Sequence, residues 1–302
     1  MVFGASSVEA LPARAPEAMR PIRTLTALVN PFSGSVGSGA IDAFRAKLDA
    51  AGVTGDVRAV ERDWPEAVRA AANANPDAIA VLGGDGTARC AAETLAPDAP
   101  PLMLLPGGTM NMLPKALYGA LYWSDALDAA LQRGVVRTVR GAEADRRAFF
   151  VAGIFGTAAL AQPAREAARR GDLGAALSRA RRALSRAFRV KIAARMATRR
   201  FANAEAIGVL APALNALEGD RLEVAAVNAE SLLEGARIGL RAVFGGWRDD
   251  PATVVADAEW VDLLSSRPIP AVLDGEAELF GRTVRIRVRR DAVRVIALPD
   301  VP

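Results

Sequence analysis

The chain has 302 residues, 51% of them hydrophobic, with 38 Lys and Arg against 34 Asp and Glu and a formal net charge of +4. It contains no histidine and a single cysteine, Cys90, which excludes Ser-His-Asp and Cys-His catalysis, imidazole-bound zinc and any internal disulfide. No apolar run approaches the roughly 20 residues that span a bilayer, and chemistry here has to use carboxylates, Lys or Arg, hydroxyls, backbone amides or an oxygen-loving metal.

In chain order, residues 1–21 mix Ala and Pro with charge, lack the continuous apolar core of a secretory signal and read as a flexible tail outside the fold. From 22 to 140 short apolar runs alternate with longer amphipathic segments: "LTALVN", "GAIDAFRAKLDAAG", "DVRAV", "WPEAVRAAANAN", "AIAVLGG", "TARCAAETLA", "LMLLPGG" and "SDALDAALQRG". Strand and helix in alternation predict a mostly parallel sheet covered on both faces. Such sheets bind ligands at the carboxyl ends of their strands, where three glycine-rich turns fall: "NPFSGSVGSG", "GGDGT" and "PGGTMN".

From 141 to 302 the pattern changes. Runs such as "AFFVAGIF", "FRVKIAARM", "EAIGVLAPAL", "LEVAAVN", "AEWVDLLSS", "PAVLDGEAEL", "TVRIRVRR" and "AVRVIAL" are short, rich in Val and Ile and partly alternating, which predicts an antiparallel β domain. A helical insert at 163–188 interrupts it.

The turn after "AIAVL" is the most informative stretch. An apolar strand feeding Gly83, Gly84, Asp85, Gly86 and Thr87 and then a helix puts backbone N–H groups at a helix N-terminus, where phosphate is welcome. The glycines let the backbone approach closely and allow φ above zero. Asp85 beside phosphates needs a compensating role: holding Mg²⁺ through water, accepting the proton of an attacking hydroxyl, or, more simply, capping the helix. The pattern is neither the Walker sequence nor Gly-x-Gly-x-x-Gly.

With these residues in view, the chain resembles the diacylglycerol kinase, sphingosine kinase and ceramide kinase group of lipid kinases. "NPFSG" looks like that family's Asn-Pro-x-Ser-Gly, "GGDGT" like its signature, "LLPGGTMN" like its Pro-x-Gly-Thr-x-Asn and "VLDGE" like its late Asp-Gly-Glu, in the family's order. The resemblance implies an NAD-kinase-like nucleotide-binding α/β domain over 22–140, a β-sandwich lipid-binding domain over 141–302, whose last strand returns to the first domain, and an ATP cleft between them. It implies nucleotide contacts from Asn30, Ser33, Gly34, Gly83, Gly84, Asp85, Gly86, Thr87, Gly108, Thr109, Asn111 and Gly275, with catalytic acids among Asp85, Asp274 and Glu276. Its cofactors are ATP and Mg²⁺. The family's structural Mg²⁺ site, Leu-x-x-Asp-x-Leu, is matched by "LEGDRL" through Leu217, Asp220 and Leu222. The family's Asn-Glu pair after the glycine turn is replaced here by Arg89 and Cys90.

Residues 163–200 hold twelve Arg or Lys and two acids. With Leu173, Leu177, Leu184 and Phe188 at helical spacing, the segment reads either as a basic amphipathic helix on anionic lipid or as a surface helix packed on the β domain. No nucleic-acid module is recognisable. The expectation is an ATP- and Mg²⁺-dependent lipid kinase, cytoplasmic and peripheral on the inner face of the membrane, acting on the primary hydroxyl of diacylglycerol, ceramide or a sphingoid base. The alternatives are an NAD-kinase-like small-molecule kinase and a nucleotide-binding membrane adaptor without turnover.

Overall fold

The computed structural model describes residues 17–18, 21–156, 191–212, 221–227, 253–299 and 301. The insert at 163–188, Leu217 and Asp220 lie outside the described residues.

Glu17–Ala18 (β1), placed in the tail by the sequence, pair with the later strand at Val136 and Val135 instead. Then follow β2 (Thr24–Val29), α1 (Ala40–Ala50), β3 (Thr54–Ala59), α2 (Trp64–Asn73), β4 (Ala78–Gly83), α3 (Asp85–Thr94), β5 (Leu102–Pro106), α4 (Met112–Tyr118) and α5 (Trp123–Arg133). Every residue of β4 and β5 is buried, as strands covered on both faces require. The covering helices are amphipathic. On α1 the buried positions are Ala40, Phe44 and Leu48, spaced by four, and Phe44 stacks on Trp123 of α5 with ring centroids 5.8 Å apart.

The sheet order is β3-β2-β4-β5, all parallel. The chain leaves β2 toward one edge and returns from β3 to the other side of β2, so the strand order switches between β2 and β4. The "NPFSG" turn follows β2 and the "GGDGT" turn follows β4, which puts both at the crevice of that switch.

The second lobe is built from β6 (Val135–Ala144), β7 (Arg147–Phe149), β8 (Ala152–Gly156), β9 (Ile192–Arg195), β10 (Arg200–Ala204), β11 (Ala206–Leu210), β12 (Leu222–Val227), β13 (Thr253–Ala258), β14 (Trp260–Ser265), β15 (Ile269–Leu273), β16 (Glu276–Phe280) and β17 (Thr283–Ala297). One antiparallel sheet has the order β13-β12-β11-β8-β15-β16. It faces β9, β14, β6 and the first half of β17 across a shared core that includes Phe155, Ile207, Val224 and Leu273 on one side and Ile192, Leu263, Val284 and Ile286 on the other. This is a β-sandwich, and its strands alternate accordingly: Ile269, Ala271 and Leu273 are buried while Pro270 and Val272 are half-buried.

The fifteen-residue β17 belongs to both lobes. Its start pairs with β14 and its end lies parallel to β5, with Val295 opposite Leu102. The change of core occurs within a few residues elsewhere as well. Phe149 packs in the sandwich, whereas Phe150 and Val151 pack with the α/β lobe.

Candidate active site between the lobes

Three turns at the carboxyl ends of β2, β4 and β5 are tied together by hydrogen bonds. Asn30 Nδ2 donates to Thr87 Oγ1 at 3.0 Å, and its Oδ1 accepts the Phe32 amide at 3.0 Å. Ser33 Oγ accepts the Gly84 amide at 3.1 Å. Ser35 Oγ donates to the Gly108 carbonyl at 3.0 Å, and the Gly107 amide donates to the Gly83 carbonyl at 2.8 Å. Asn111 folds back on its own turn, accepting the Gly108 amide at 2.7 Å and donating to the Gly108 carbonyl at 2.8 Å. Gly34 and the exposed Thr109 face one another: a Cβ on Gly34 would lie 3.7 Å from Thr109 Oγ1.

The glycines of the strand-to-helix turn serve close approach. Gly83, Gly84 and Gly86 do not take the positive φ that the sequence reading allowed them. A Cβ on Gly108 would come within 2.6 Å of Gly84 Cα, and one on Gly86 within 2.9 Å of Glu276 Oε1. Helix α3 starts at Asp85, and its first turn carries no side-chain cap. Its leading N–H groups therefore point out of the turn as donors.

Asp85 does not cap its own helix. Its Oδ1 accepts the amide of Met112 at 2.5 Å, at the start of α4. Burial raises the Asp85 pKa from its ordinary value, opposed by the amides of Met112, Asn111 and Leu113 and by the charge of Lys115.

Asp274 and Gly275 form the two-residue connection of the β15–β16 hairpin, with φ of 47° and 90°. Positive φ at both positions is what the twist of a two-residue hairpin demands, and Asp-Gly supplies it. The Asp274 carboxylate is buried at 3% exposure. Its Oδ2 accepts the Phe150 amide at 2.6 Å, and its Oδ1 accepts the amides of Val151 and Ala152, both at 2.9 Å. Both oxygens are thus committed to the segment that passes from one core to the other. Burial pushes the Asp274 carboxyl up to about 6 against the pull of the three amides, and the negative charge of Asp85 adds to the rise.

Glu276 follows Gly275 on β16, exposed, with a carboxylate oxygen against Gly86. Asp85, Glu276 and Asp274 are therefore brought to one seam. Two residues on, Glu278 lies 3.9 Å from an Arg89 nitrogen and 3.7 Å from an Arg147 nitrogen. Neither Glu278 nor Arg147 stood out in the sequence. The signal was the alternation of "EAE", which puts Glu276 and Glu278 on one face of a strand.

Of the proposed structural metal site, Leu222 is a fully buried residue of β12. No group of three or more His, Cys, Asp or Glu suited to a metal occurs among the described residues. The Asp85 and Glu276 carboxylates offer only oxygen, which suits Mg²⁺, whereas both Asp274 oxygens are taken by backbone amides. Among the described residues, no helix is long and apolar enough to cross a membrane.

A parallel-sheet lobe with glycine-rich turns at its switch point, met by acids from a β-sandwich, defines a two-lobed α/β-plus-sandwich fold. Residues 24–143 match the diacylglycerol kinase catalytic domain. The first lobe is thus similar to the catalytic domain of diacylglycerol kinases. Two crystal structures from Bacillus anthracis str. Sterne share the fold. One, described as a diacylglycerol kinase, superposes with a TM-score of 0.65 at 16% identity, and the other, assigned to the same group, with 0.67 at 19%. Each alignment covers 94% of this chain and 100% of the other. No curated protein matches the sequence.

Proposed function

We propose that the protein transfers the γ-phosphoryl group of ATP to the primary hydroxyl of a membrane lipid (diacylglycerol, ceramide or a sphingoid base) and that Glu276 is the acid nearest the chemistry. The observation that carries this reading is the Glu276 carboxylate resting on the glycine turn of the other lobe. The alternatives for the base are engaged: Asp274 has given both oxygens to backbone amides, and Asp85 has given one to α4.

The residues fit Mg·ATP on three grounds. The approach of Gly84 and Gly108 leaves a cradle without side chains, the first turn of α3 offers amides, and the Glu276 carboxylate stands beside them, with Asp85 at the head of the same helix. When bound, Mg²⁺ would offset charge on the phosphate oxygens. Gly83 to Thr87 hold the phosphates in this scheme, while Asn30 and Ser33 fix that turn through Thr87 and Gly84. The acceptor hydroxyl oxygen forms a bond to the γ-phosphorus as the bond from that phosphorus to the bridging oxygen breaks. ADP leaves, and the hydroxyl proton passes to Glu276. The lipid presents its hydroxyl from a membrane surface, which the protein meets peripherally.

The test is incubation of purified protein with labelled ATP, Mg²⁺ and vesicles carrying each alcohol, followed by chromatography of the lipid extract. One labelled phospholipid is expected. Label on a soluble alcohol in the absence of vesicles would favour the NAD-kinase-like alternative, and nucleotide binding without any product would favour the adaptor.

A further inference from the structure

Arg89 occupies the place where the resembled family has an asparagine, and its surroundings give it a task. It lies on α3 one turn after Asp85, with its side chain 17% exposed, facing Glu278 of the sandwich. β16 runs alongside α3 so that Glu276 meets Gly86 and Glu278 meets Arg89. The two glutamates share one strand face, and like charges at that spacing push the strand away from a turn built to hold phosphates. Arg89 from one lobe and Arg147 from the other flank Glu278 and offset that charge. The same seam is held further along, where α3 packs against β7 and Arg289 Nη2 donates to the Glu93 carbonyl at 3.5 Å.

Stability does not account for the arginine. Its Nη1 is buried and, among the described residues, is the one buried side-chain nitrogen or oxygen without a hydrogen-bond partner. A buried donor left unpaired is unfavourable, and an apolar side chain of similar size would serve packing as well or better. We propose that Arg89 is a positioning residue: through Glu278 it holds β16 against α3 and so keeps the Glu276 carboxylate over the glycine turn. The inference rests on the reading of Glu276 and that turn given under Proposed function.

Arg89→Met separates positioning from structure. The expected result is a fall in kcat of about tenfold or more with KM for ATP within about threefold of wild type. The melting temperature is unchanged or higher, and Arg89→Lys restores part of the rate. Unchanged kcat in Arg89→Met, or a loss of kcat that tracks a drop in melting temperature, would overturn the proposal. A second measurement needs no turnover: Glu278→Gln is made in wild type and in Arg89→Met, and the two shifts in melting temperature are compared. A larger shift in wild type is expected. Equal shifts mean that the pair does not form in solution and overturn the proposal by themselves. A wild-type protein inactive on every lipid would sink the proposed function, while this comparison still decides the contact on which the positioning rests.

Discussion

The strand-to-helix turn at 83–87 and the hairpin turn at 273–276 each bring an aspartate to the seam between the lobes, by opposite means. The first is assembled from outside: its glycines have ordinary backbone angles, and Ser33, Asn30 and the Gly107 amide hold it in place. The second is set from within, because Asp274 and Gly275 themselves adopt the positive φ values that close the hairpin. Asp85 keeps a half-buried carboxylate and caps a neighbouring helix, whereas Asp274 is buried and clamps three amides of the interlobe segment. Of two aspartates prominent in the sequence, the one from the sandwich holds backbone amides with both oxygens, and in the proposed reaction its exposed neighbour Glu276 is the acid that meets ligand.

That contrast can be broken in order of size. Glu276→Gln removes the acid without disturbing either turn, and turnover should fall about 10²–10⁴-fold in a steady-state lipid assay while the melting temperature barely moves. Asp274→Ala leaves three amides, two of them buried, without their acceptor. It should cost about 3 kcal/mol or more in urea unfolding and destabilise the protein whether or not ligand is present. Gly108→Ala drives a methyl into the Gly84 backbone, which cannot swing aside, and a loss of about 1–3 kcal/mol with weakened nucleotide binding is expected.

Gly86→Ala meets only the far end of a flexible glutamate. Stability should hold, helped by better helix propensity, while turnover drops about tenfold as Glu276 is displaced. Equal stability losses at Gly86 and Gly108 would erase the distinction between a turn packed on backbone and one that supports an acid.

The smallest effect concerns a carboxylate remote from the seam. Asp262 accepts two bonds from Arg285, at 2.7 and 2.9 Å, and one from Arg195 at 2.9 Å. The Arg285 bonds hold its carboxyl down at about 2, with burial opposing and Arg195 assisting. Because the folded value is depressed, the stabilisation is present above the ordinary carboxylate value of about 4 and is lost as pH falls toward 2. Melting curves of wild type and Asp262→Asn should therefore differ at pH 6 and converge near pH 2. Curves that stay parallel would show that the pair adds nothing.

Much of this could be read from residue order. The buried runs "AIAVLG" and "LMLLP" stood out because strands covered on both faces need no polar alternation. The three turns at strand ends followed from that alternation of elements. Other features depend on tertiary placement. "AFFVAGIF" reads as one strand but forms two, because Phe150 and Val151 turn their amides to an aspartate more than 120 residues away. "TVRIRVRR" and "AVRVIAL" read as two strands but form one, with a register shift against β6 between Val288 and Ala292. Asp85 reads as a base or cap for its own helix, and only the packed fold turns its carboxylate to α4. The glycines announced close approach, but what they approach, Glu276 in one case and a second glycine in another, is set by how the lobes meet.

The long strand common to both halves also constrains how they can move. A ribbon whose start is stitched to β14 and whose end lies beside β5 acts as a torsion bar. The lobes can twist about it, with the register shift as the compliant point, but they cannot swing apart like jaws on a loose hinge without tearing rungs from a sheet. Opening to admit a substrate should accordingly be a shallow shear. Deleting the final strand should unfold both halves together and leave neither core intact.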